Sequence, residues 1–183
     1  MDRATILLPF VGIIVGLGLA DLLLSFHRTV RARRRWHWLP AFWSGLTFLT
    51  ALMYWWVFSE IVVLPAFGSF VPFAVHLGSP VLLFLLCAAA LPDGADDEAD
   101  LRTYYFGNHR YFFGLFAALC VHGALDYGFN YGSWGQPVPW VTLALGALVG
   151  TLAATSRPAV HTVVSGVVAA LFAFLVASYT YTI

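Results

Sequence analysis

Six stretches of about twenty apolar residues follow one another along this chain. That is the length an α-helix needs to cross the hydrocarbon core of a bilayer. A segment in lipid must satisfy its backbone polar groups internally, so such stretches fold as helices. They run from Ala4 to Phe26, Leu39 to Ser59, Ser69 to Leu91, Tyr111 to Asn130, Val138 to Thr155, and from the turn Ser156-Arg157-Pro158 to Tyr179. Residues 1–183 therefore read as a single transmembrane domain, an all-α bundle of six transmembrane helices. The composition fits, since 61% hydrophobic and 10% charged residues leave lipid as the main solvent. The first stretch is too long for a signal-peptide core and is expected to be retained.

Charge sets the expected orientation. The sequence has nine basic residues, all of them arginine. Arg28, Arg31, Arg33, Arg34 and Arg35 fall between the first two stretches, Arg102 and Arg110 between the third and fourth, and Arg157 between the fifth and sixth. Only Arg3 lies on the other side. Arginine excess in short loops marks the cytoplasmic face. Residues 28–38 and 93–110 are thus expected as cytoplasmic loops, with both termini outside. Trp36 and Trp38 would mark the inner rim; Trp134, Trp140, Tyr179 and Tyr181 would mark the outer one.

Several functions are excluded or disfavoured. Zero net charge without a basic-aromatic cluster argues against nucleic acid. The absence of lysine rules out a retinal Schiff base, and no nucleotide-loop, zinc-protease or serine-hydrolase signature occurs. Cys87 and Cys120 have no metal-type spacing and read as small buried hydrophobes. The acidic run Asp93, Asp96, Asp97, Glu98, Asp100 lacks the register of a calcium loop and reads as a solvated loop. Gly146 and Gly150 are spaced for a close helix–helix contact.

Ionisable groups inside a span cost about 2.5–3.5 kcal/mol on insertion scales, so each is a functional candidate. Asp21 and His161 lie toward the inner side, and Glu60, His76, His122 and Asp126 toward the outer side. His122 and Asp126, four residues apart, share a helix face and are expected to interact. A carboxylate there would fix the ring tautomer, whether the ring relays protons or binds a metal. His76 and His122 fall at matching depth, roughly 10–12 Å from the outer edge at 1.5 Å per residue. This makes them candidate ligands for haem b or a metal ion. His76, His122 and Asp126 are expected to converge on one cavity in the outer half of the bundle, with Glu60 near its mouth. The competing reading has each group satisfied locally as interhelical glue.

An internal echo points to a 3+3 inverted repeat of the kind transporters use. Asp21 and Asp126 sit at similar depth in the first and fourth stretches, Pro40–Trp43 and Pro139–Trp140 open the second and fifth, and His76 and His161 lie near the start of the third and sixth. Pro80, after Ser79, is expected to kink the third helix.

Trp36-His37-Trp38-Leu39-Pro40, Trp55-Trp56, Leu91-Pro92-Asp93, Asp100-Leu101-Arg102 with Tyr104-Tyr105-Phe106, and Arg110 with Phe112-Phe113 resemble a group of bacterial multi-pass inner-membrane proteins with no assigned activity. The resemblance implies a bacterial inner-membrane setting and an ordered segment over Asp100–Phe113. The functional expectation is passage or sensing of a small solute, ion or proton, using the six ionisable residues and no cofactor. Rivals are a haem- or metal-dependent redox enzyme on His76 and His122, and a non-catalytic subunit whose aromatic second span packs on a partner membrane protein, another copy or lipid.

Overall fold

The computed structural model describes residues 4–32, 35–62, 70–93, 100–130 and 134–180. Arg3, Arg33, Arg34, the acidic residues Asp96, Asp97 and Glu98, and Tyr181 lie outside the described residues. So does the start of the third stretch at Ser69.

Among the described residues the chain is entirely helical: α1 Ala4–Arg31, α2 Trp38–Ile61, α3 Phe70–His76, α4 Gly78–Ala89, α5 Leu101–Asn130, α6 Pro137–Ala154 and α7 Pro158–Thr180. Five spans are long and apolar enough to cross a membrane, with α3 and α4 together forming one of them. In the sixth expected span, the apolar run Pro158–Ala173 is shorter. Large apolar side chains such as Ile13, Leu17, Trp56, Phe70, Val141 and Val163 cover the outside. An apolar exterior around polar interior clusters is the arrangement of a membrane bundle.

α1 packs along α4 and against α2, α5 lies between α4 and α6 and touches α2, and α7 closes on α6 and α2. Short links make neighbours antiparallel. The C-terminal end of α1 and the N-terminal ends of α2, α5 and α7 therefore share one end of the bundle. Arg28, Arg31, Arg35, Arg102, Arg110 and Arg157 are exposed there. The two halves are not packed alike: α1 lies along α4, whereas the main neighbour of α5 is α6.

One expectation is corrected. The segment 101–110 is not a loop, because α5 begins at Leu101, well before the expected start at Tyr111. Asp100 caps it by accepting the Thr103 N–H at 2.8 Å. Leu101, Tyr105, His109, Phe112, Phe113, Phe116 and Cys120 then form one buried helical stripe. The third stretch is interrupted beside Pro80, where a kink was expected. Leu77 separates α3 from α4 while keeping helical dihedrals (φ −59°, ψ −18°), so the axis continues. Pro80 has no N–H to return to the His76 carbonyl, and its ring crowds that carbonyl, which accounts for the break.

The core is built on Trp43. Its ring meets Phe113 at 4.9 Å, Phe116 at 5.5 Å and Phe112 at 6.2 Å, all edge-on, the favoured geometry for aromatic pairs. Gly146 lets α6 approach α5, since a Cβ there would lie 2.9 Å from the Cys120 Cβ.

Candidate functional site: a buried carboxylate–imidazole–phenol chain

At the end away from the arginines, the last turns of α2 and α5 meet the α3–α4 break. Tyr54 projects from α2, His76 closes α3, and His122 and Asp126 lie one turn apart on α5. His76 is 3% exposed and Asp126 6%. The Nδ1 of His76 stands 2.6 Å from Asp126 Oδ2, and its Nε2 stands 2.9 Å from the Tyr54 hydroxyl. With an ionised carboxylate, Nδ1–H donates to Asp126 and Nε2 is left to accept the phenol O–H. Phenol, imidazole and carboxylate thus form one continuous hydrogen-bonded chain linking α2, α3 and α5. The imidazole also stacks on Phe58 at 5.2 Å and on Tyr54 at 5.9 Å. These rings fix its plane and keep water from its faces.

His122 takes different partners. Its Nε2 lies 3.0 Å from the Val75 carbonyl, which can only accept, so that nitrogen carries the hydrogen. Nδ1 is then the acceptor, and the Ser79 hydroxyl donates to it at 3.0 Å. Four-residue spacing placed His122 and Asp126 on one face, as expected, but Asp126 reaches His76 instead of His122. The reason is direction: a helical side chain is free to reach across to a neighbouring helix, and the broken helix offers His122 an unclaimed carbonyl.

His76, His122 and Asp126 all lie at the contact between the α3–α4 break and α5, in separate hydrogen bonds rather than around a shared cavity. Glu60 does not join them; it is exposed on the last turn of α2 and forms no hydrogen bond among the described residues. All four imidazole nitrogens of His76 and His122 are already in hydrogen bonds. Among the described residues no group of three or more His, Cys, Asp or Glu is placed to hold a metal ion.

A second polar cluster lies at the arginine-bearing end. His161, 0% exposed, sits in the first turn of α7. Its Nε2–H donates to the Thr155 carbonyl at 2.7 Å, and its Nδ1 accepts the Tyr105 hydroxyl at 2.8 Å. The rings of Phe106, Phe113 and His109 surround it at 5.2, 5.5 and 5.8 Å. His109 donates from Nδ1 to the Phe106 carbonyl at 2.6 Å. It also lines a cavity of about 10 Å³ with Trp43, Tyr104, Asn108 and Phe112, which is room for about one water. Sequence reasoning expected order over Asp100–Phe113, as α5 bears out, but did not pick Tyr105 and His109 as site residues.

Asp21 and His161 are not brought together. Asp21 is half-buried on the α1–α4 contact beside Cys87, whereas His161 lies among α5 and α7 side chains. Arg28, a candidate partner for Asp21, instead donates to the Asp93 carbonyl, and Ser25 donates to the Asp93 carboxylate. These bonds clasp the end of α1 to the end of α4. No family model, curated protein or solved structure matches the chain.

Proposed function

We propose that this chain is a six-span protein of the bacterial inner membrane, both termini outside, that relays or senses protons through Tyr54, His76 and Asp126. The buried Asp126–His76 pair supports this reading. An ionisable pair within apolar helices is costly to insert, and such groups most often mark proton or ion paths. An imidazole between a carboxylate and a phenol can accept a proton on one nitrogen and release one from the other. His161 with Tyr105 would serve the opposite end, with Asp21 and Glu60 near the two mouths.

Purified protein in liposomes carrying an internal pH dye tests the reading. Wild-type vesicles are expected to equilibrate an imposed pH gradient faster than empty vesicles, and D126N vesicles to lose that gain. Equal rates in wild-type and empty vesicles would overturn proton passage. Sensing would survive only if infrared difference spectra between acid and neutral pH show a carboxyl band that D126N removes. A visible spectrum with a haem Soret band would turn the reading toward redox chemistry.

A further inference from the structure

The proton reading of the site uses His76 and Asp126 and leaves His122 without a task. Its surroundings supply one. The His122 ring sits against Gly78, where a Cβ would overlap its Nε2 atom. That nitrogen donates to the Val75 carbonyl, and the other ring nitrogen is held by Ser79. In an unbroken helix, Val75 would receive the N–H of the residue four positions on, which is Ser79. Here an imidazole from another helix donates to it. The hydroxyl of the same Ser79 holds the ring from the far side of the break.

We infer that His122 is a positioning residue, a side-chain splint that spans the α3–α4 break and holds α3 where His76 meets Asp126 and Tyr54. Gly78 belongs to the same device, since only a residue without Cβ leaves room for the ring. α3 has only seven residues, and at Pro80 the backbone bond that would tie the His76 carbonyl to α4 is missing. Its placement therefore depends in part on side-chain contacts with its neighbours. Val75 and His76 are adjacent, so the splint acts one residue away from the reactive ring. The functional meaning of this role rests on the proton reading, but its geometry can be tested without it.

Histidine-labelled protein in lipid, examined by nitrogen and proton NMR, provides the test. Wild type is expected to show a low-field proton from His76 Nδ1 bonded to Asp126, and His122 as the Nε2–H tautomer. H122F removes both ring hydrogen bonds, and G78A pushes the ring out while leaving His122 in the chain. The low-field His76 signal should be lost in both. It should persist in H122Q, whose amide can still donate to Val75. Circular dichroism on the same samples separates a displaced α3 from a misfolded chain, and G78A decides the matter if H122F does not fold. A low-field signal unchanged in both H122F and G78A, or His122 found as the Nδ1–H tautomer, would overturn the inference. Proton flux measured on the same preparations keeps the claims apart. A flux-inactive wild type counts against the proton reading alone, while the NMR signals still decide the splint.

Discussion

The indole N–H of Trp43 donates to the Ser165 hydroxyl at 2.9 Å, joining α2 to α7 across the core. Both groups are buried. S165A leaves the indole with only the neighbouring Tyr105 hydroxyl as acceptor, at a cost of up to about 1–3 kcal/mol, whereas S165T keeps a hydroxyl in place. A lower thermal midpoint in detergent is expected for S165A and a smaller change for S165T. Equal midpoints for S165A and wild type would show that the indole finds another acceptor.

Truncating either member of the Asp126–His76 pair should cost more than its share of replacing both. Removing one partner of a buried hydrogen bond strands the other, at about 1–3 kcal/mol and more where the stranded group is a carboxylate. D126A and H76A should each unfold much more readily than wild type. D126L/H76L should be less destabilised than the sum of the single changes. A double-mutant cycle in chemical denaturation measures the coupling, and simple additivity would argue against a direct bond.

The two glycines of α6 should differ sharply. A Cβ at 146 meets Cys120 at 2.9 Å, whereas one at 150 meets the Ala117 Cβ at an ordinary 3.8 Å. G146V should overpack the α5–α6 contact, at about 1–3 kcal/mol. G150A should stay within about 0.5 kcal/mol of wild type. Thermal midpoints of the two variants, compared side by side, check this.

The start of α5 carries a pH dependence. The Thr103 N–H, chief among several donors, holds the Asp100 carboxyl below its ordinary value of 3.8. A depressed carboxylate stabilises the fold above the unfolded-state pKa and loses that contribution as pH falls through the folded one. The first turn of α5 should therefore fray only on acidification below about the ordinary carboxylate range. Faster amide exchange at Thr103 in acid, compared with neutral pH, would report it. D100N keeps a cap and should show a weaker acid response. An equal response in D100N would place the fraying elsewhere.

The sequence announced the helices and the polar residues within them, but not which residues pair. Hydrophobic length marks a span wherever the chain stays apolar, and His76 and Asp126 stood out because charge inside such a span is rare. Pairing is a different matter. The spacing of His122 and Asp126 says that they share a face; it cannot say that a carbonyl beside a helix break draws the imidazole away. The early start of α5 was legible in hindsight. Leu101, Tyr105, His109, Phe112 and Phe116 recur at helical intervals behind the capping Asp100. The polar residues between them read as a loop only because hydropathy averages over both faces of a helix. His161 was seen as an ionisable group, yet its hydroxyl partner Tyr105 lies 56 residues away in sequence, a separation no local pattern can bridge.

The His76–Asp126 bond also has a history within each newly made molecule. Its partners lie 50 residues apart in the chain. At roughly 5–20 residues per second of synthesis, His76 has no carboxylate to meet for several seconds after it is made. The first three helical stretches are therefore made while that imidazole has Tyr54 at hand but not its carboxylate, and the break beside it is bridged only when α5 arrives. The first half of the molecule is a provisional structure during biosynthesis, and the fourth span completes it.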